Sequence, residues 1–164
     1  MTSTPAAPAP GSAPGPVGSA PVSAPVNGRV VALAHYASRA LLERTLARHG
    51  ATFHQSVTLR AVAVAGGSVG RDRLVGEVDG SLKAGEPVVR EVIEELTAAG
   101  LLEAGHAGRV RLTDAGRARY ETTAAESAAI AARLYADIPA GDLAVAGRVL
   151  ALVTERADAE LGAA

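Results

Sequence analysis

The 164 residues carry sixteen basic and seventeen acidic side chains, a net charge of −1, so bulk charge does not draw the chain onto nucleic acid and any such binding must rest on local patches. Cysteine is absent, which excludes disulfides, thiolate metal sites and thiol redox sensing, and the four histidines, His35, His49, His54 and His106, show no metal-ligand spacing. Apolar residues make up 48% but aromatics only 2%, so a core has to be assembled from Ala, Val and Leu, a composition that favours closely packed helices.

Residues 1–28 carry no charge and hold seven of the nine prolines among Ala, Gly and Ser, too little apolar surface to offset ordering, so a disordered tail is expected there. The stretch lacks the basic start and unbroken apolar run of a secretory signal. No segment reaches the length of a membrane span, and the expected location is cytoplasmic with no membrane partner. Residues 29–164 read as one domain.

From Val30 to Arg48, Val30, Leu33, Ala34, Ala37, Leu41 and Leu42 recur at helical spacing, with Gly50 as the stop. Thr52 and Gln55 have the spacing of a capping box, which predicts a second helix from Phe53 to about Ala65. Gly66 to Gly70 then follows a helix rather than a strand, so it reads as a connector and not a dinucleotide fingerprint.

Leu74, Val75 and Val78 predict a short third helix between Arg71 and Asp79, closed by Gly80, with a turn from Gly80 to Gly85. Pro87 suits the first turn of a fourth helix whose apolar stripe is Val89, Val92, Ile93 and Leu96 and which ends at Gly100. Two helices across a turn, the second with its stripe inward, make residues 71–100 a helix-turn-helix. Residues 101–112 read as a small hairpin, Leu101 and Leu102 on one strand and Val110 and Leu112 alternating with Arg109 and Arg111 on the other.

Thr113 and Asp114 open a fifth helix that runs to about Ala136, and Pro139 restarts the chain. The last helix spaces Leu143, Ala146, Leu150, Val153, Ala157 and either Glu160 or Leu161 close to a heptad seam. Such a seam requires a partner, so helices 30–48 and 113–161 are expected to form a homodimer interface; two helices capping a monomer is the other reading. The predicted fold class is mainly α with a small β-hairpin, a winged helix-turn-helix with terminal dimerisation helices.

Three phrases in order resemble the MarR family of winged-helix transcriptional regulators over roughly residues 30 to 161. They are Thr52-Phe53-His54-Gln55 with Leu59 and Val62; Val89 to Leu96 with Ala99-Gly100-Leu101-Leu102-Glu103; and Val110-Arg111-Leu112-Thr113-Asp114-Ala115-Gly116. The resemblance implies a homodimer on a pseudo-palindromic site in double-stranded DNA, with one recognition helix per subunit in the major groove and the wings near the minor grooves. It also implies a small aromatic or phenolic effector bound near the dimer region. The family's D-x-R before the wing strand is missing, with Gly105-His106-Ala107-Gly108 in its place.

On that footing Arg71, Arg73, Lys83, Arg109 and Arg111 are candidate phosphate contacts, with Arg117 and Arg119 also around the wing; as plain structure they are a solvated face. Pro87, Val88, Arg90 and Glu91 are the candidate base contacts. The recognition helix is acidic, with Glu86, Glu91, Glu94 and Glu95 against Arg90, and a carboxylate there gains only by accepting from cytosine N4. His35, Tyr36, Arg39, Phe53 and His54 form the candidate effector pocket.

No nucleophile elbow, phosphate loop or zinc motif occurs, so neither catalysis, a metal nor a cofactor is expected. A winged helix that binds a basic protein partner through its acidic fourth helix stays open as the alternative.

Overall fold

The computed structural model describes residues 25–163, in which six α-helices frame a three-stranded antiparallel sheet. The expected tail lies outside the described residues as far as residue 24. Helix α1 (Gly28–Ala47) starts two residues before Val30, because Asn27 accepts a hydrogen bond from the Val30 N–H at 3.1 Å and caps it. Only Thr45 and Leu46, near its end, are buried. Helix α2 (Phe53–Val64) opens on the expected capping box: the Gln55 N–H donates to Thr52 Oγ1 at 3.2 Å and the Thr52 N–H to Gln55 Oε1 at 3.1 Å.

Two expectations need correction. The glycine-rich connector contains a strand, β1 (Ser68–Gly70), which pairs with the later strand Arg109–Leu112, Ser68 opposite Arg111 and Gly70 opposite Arg109. Val69 is its single buried residue, and three positions are too few for alternation to register. Helix α3 (Arg71–Leu82) also passes through Gly80 instead of stopping there. An exposed glycine costs a helix roughly 1 kcal/mol but does not end it. The stop comes at Lys83, left-handed at φ 53°, whose N–H donates to the Asp79 carbonyl at 2.7 Å while the Asp79 carboxylate accepts from the Gly85 N–H at 2.7 Å.

Helix α4 (Glu86–Ala98) follows, with Pro87 in its first turn and Val89, Val92, Ile93 and Leu96 buried. Strands β2 (Leu102–Ala104) and β3 (Arg109–Leu112) form the hairpin, its tip a 3₁₀ turn at His106–Gly108. Because β1 pairs on the other side, β3 is the central strand, in the order β1-β3-β2. Helix α5 (Asp114–Leu134) is capped by Thr113, whose hydroxyl accepts from the Gly116 N–H at 2.9 Å and donates to the Gly100 carbonyl at 2.7 Å.

One aliphatic core joins Leu59 and Val62 of α2, Leu74, Val75 and Val78 of α3, the α4 stripe, and Val69, Leu102, Val110 and Leu112 of the sheet. Burial of each such side chain is worth about 1.5–3 kcal/mol, and together they hold α4 rigidly against the hairpin. Helix α6 (Ala140–Ala163) takes no part in it: no residue of α6 is buried. Among the described residues, the seam position Leu143 is half-buried while Ala146, Leu150, Val153, Ala157 and Leu161 stay exposed.

Candidate nucleic-acid interface

With its stripe turned inward, α4 leaves Pro87, Val88, Arg90 and Glu91 exposed on its first turns. A hollow of about 250 Å³ lies between α4 and the hairpin, lined by Arg71, Glu94, Thr97, Glu103, Gly105 and Arg109 among others. The start of α3, the outer edge of α4 and the hairpin thus share one surface. Sequence reasoning placed cations on this surface but missed that almost every one is already engaged.

Arg71 donates to Glu94, and Lys83 Nζ lies 2.9 Å from Asp158 of α6. Arg90 reaches Glu86 at 3.1 Å and Asp72 at 3.4 Å, and these two hydrogen bonds, that to Glu86 first, hold its pKa above the ordinary arginine value. Arg109 ties the sheet edge, donating through Nε to Ser68 Oγ at 2.9 Å and through Nη2 to the Ser68 carbonyl at 2.7 Å. Arg111 donates through Nε to Glu103, its cross-strand neighbour, at 3.1 Å.

Of the candidate phosphate contacts Arg73 and Arg117, both exposed, have no side-chain hydrogen-bond or ion-pair partner among the described residues. These pairs sit in water, where an ion pair is worth roughly 0–1 kcal/mol, so each arginine remains exchangeable toward another anion. Of all these pairings, Glu86 with Arg90, at i, i+4, is the one that sequence spacing signals. Arg119 is not at the wing: its guanidinium donates inward to the His49 carbonyl.

That bond belongs to the junction of α1 and α5, where Arg48 Nη2 donates to Glu126 Oε2 at 2.7 Å and His49 Nε2 lies 3.0 Å from Oε1. Arg48 first, then His49, holds the Glu126 carboxyl below the usual carboxylate range. A depressed folded-state pKa contributes stability above the unfolded value, and that contribution is lost as pH falls through the folded one. Glu126→Gln is therefore expected to lower the melting temperature modestly at pH 7, with the gap from the parent closing in acid. A gap that persists below pH 3 would remove the ionised carboxylate as its cause.

The five candidate effector residues do not meet in one pocket. His35 and Tyr36, their rings 5.6 Å apart and edge-on, line a hollow of about 380 Å³ between α1 and α6 that also includes Val31, Val149 and Val153. Phe53 lines a separate cavity of about 380 Å³ between α1, α2 and α5, with Leu42, Ser56, Val57, Arg60, Tyr120, Thr123, Ala124 and Ser127. Arg39 stacks 4.6 Å above the Phe53 ring and also donates to Glu43 at 2.8 Å, while His54 packs edge-on beside Phe53 at 6.1 Å. Arg60 and Tyr120 were not legible as pocket residues, since their convergence depends on how α5 crosses α2.

Among the described residues, no group of three His, Asp or Glu side chains is placed to hold a metal ion, and no helix is long and apolar enough to cross a membrane. No family model matches the chain, and no curated protein matches it. Solved structures do match its fold. The reduced form of MarR from E. coli superposes with a TM-score of 0.61 at 20% identity, over 77% of this chain and 91% of that one. A MarR-family protein of Mycobacterium tuberculosis in complex with DNA gives 0.61 at 21%, over 80% and 98%. BpsR of Bordetella bronchiseptica, whose DNA binding is regulated by 6-hydroxynicotinic acid, gives 0.64 at 23%, over 79% and 94%. The chain has the winged helix-turn-helix fold of the MarR regulators, as its sequence phrases led us to expect.

Proposed function

We propose that this chain is a DNA-binding transcriptional regulator of the MarR type, a cytoplasmic homodimer and not an enzyme, that acts on a pseudo-palindromic duplex and is released by a small effector. The observation that carries the reading is the shared surface of α3, α4 and the hairpin. The first turns of α4 face outward, and Arg71 at the start of α3 and Arg109 on β3 line the hollow where Glu94 and Thr97 of α4 meet the hairpin. In this reading Pro87, Val88, Arg90 and Glu91 enter the major groove, while Arg71, Arg73, Lys83, Arg109 and Arg111 meet phosphates. Phosphate oxygens then replace the weak carboxylate partners of Lys83 and Arg111, at little cost because those pairs are solvated, while Arg71 reaches a phosphate through its remaining N–H groups without leaving Glu94.

Dimerisation is supported by the uncovered apolar side of α6 and by exposed Val30, Leu33 and Tyr36 on α1. The Phe53 cavity suits a planar aromatic acid: Leu42, Val57 and Phe53 supply apolar faces and Arg60 a cation for a carboxylate.

The test is a salt titration of binding to the duplex upstream of the chain's own gene against random duplex. The parent is expected to prefer the specific duplex by at least about a thousandfold. Arg73→Ala should weaken both complexes alike and flatten the salt dependence by about one unit of slope. A planar phenolic acid added to the specific complex should release it. Equal affinity for every duplex tried would overturn the reading and favour a protein partner instead; an unchanged slope would remove Arg73 from the interface.

A further inference from the structure

We propose that Glu91 makes this chain select cytosine at one position of each half-site, by accepting a hydrogen bond from the cytosine N4 amino group. This rests on the DNA-binding reading above.

The side of α4 opposite Val89, Val92, Ile93 and Leu96 presents the row Pro87, Glu91 and Glu94. Proline has no side-chain hydrogen-bonding group, and Glu94 is held by Arg71. The other carboxylates of the helix are occupied too: Glu86 accepts from Arg90 at 3.1 Å, and Glu95 from Gln55 Nε2 at 2.9 Å. Glu91 is exposed and, among the described residues, is the one α4 carboxylate without a partner. Its neighbour Arg90 is taken up by Glu86 and Asp72 and does not neutralise it.

An ionised carboxylate only accepts hydrogen bonds. Guanine N7 and O6, adenine N7 and thymine O4 are acceptors as well, and they repel it. Two base donors face the major groove. Adenine N6 stands beside the N7 acceptor of the same ring, a pair that suits an amide; cytosine N4 has no acceptor beside it on its own base. A free carboxylate at the centre of a reading face also disfavours every duplex that lacks such a donor, which adds rejection to attraction.

Selection from a library of randomised duplexes, run side by side on the parent, Glu91→Gln and Glu91→Ala, tests this. The parent is expected to enrich cytosine at one position per half-site by about tenfold or more. The Gln variant should lose that cytosine and favour adenine there, since an amide bonds N6 and N7 together. The Ala variant should lose the cytosine without gaining adenine, while the rest of the motif stays. The same cytosine frequency in all three motifs overturns the assignment and leaves the DNA-binding reading intact. If the parent enriches no motif, both fall.

Discussion

Replacing Gly116 by alanine is expected to cost the protein about 3 kcal/mol of stability and to lower its melting temperature by about 10 °C. On helix propensity alone the sign would be opposite, because alanine in a helix gains up to about 1 kcal/mol over glycine. The environment reverses it. A Cβ on Gly116 would overlap the Leu101 carbonyl oxygen, sit 2.9 Å from its carbonyl carbon and 3.2 Å from Leu112 Cδ2. That carbonyl cannot retreat, since it accepts from the Thr113 N–H at 3.2 Å while the Leu101 N–H donates to Leu96 at 2.9 Å. Gly76, in the middle of α3 with nothing within 4 Å of an added Cβ, is the control, and Gly76→Ala should be neutral or stabilising. Thermal unfolding followed by circular dichroism reads both. A Gly116→Ala variant as stable as the parent would mean that α5 does not start this close to the turn between α4 and β2.

The second large effect is expected at α6. Val149 and Val153 are 38% and 48% exposed, one helical turn apart, with Val145 on the same row at 51%. A helix with no fully buried residue among those described, and yet with this apolar row only partly covered by α1, gains stability from a further surface. Val149→Asp combined with Val153→Asp would leave two carboxylates desolvated at that surface, and the variant should sediment as a monomer where the parent sediments as a dimer. Its affinity for a two-half-site duplex should fall by about a hundredfold or more, because the half-sites no longer act in one binding event. The core of α2, α3, α4 and the sheet should still unfold cooperatively, as none of its residues is touched. A parent that is monomeric at micromolar concentration, or a variant that still dimerises, would dismiss the terminal-helix interface.

The two caps that were read ahead of the structure, Thr52 with Gln55 and Thr113 with its acidic neighbour, are contacts over three residues. The α4 stripe likewise repeats every three or four residues, and the phrases that resemble the MarR regulators are built from these short-range signals. Strand β1 escaped notice because it has three residues and its partner, β3, lies some forty positions later. The same distance problem hid the partners of the cations: Arg71 meets Glu94, Lys83 meets Asp158 and Arg109 meets Ser68 only after helices and hairpin have packed. It also divided the effector residues, since His35 and Tyr36 face α6 while Phe53 faces α5.

What the chain of residues determined unaided is therefore the helices and the hairpin, their order and the inward face of α4, because each depends on backbone groups and side chains within one or two helical turns. Which charges are free, which cavities exist and which apolar side is left uncovered were decided by tertiary packing, where partners come from residues that no local pattern connects.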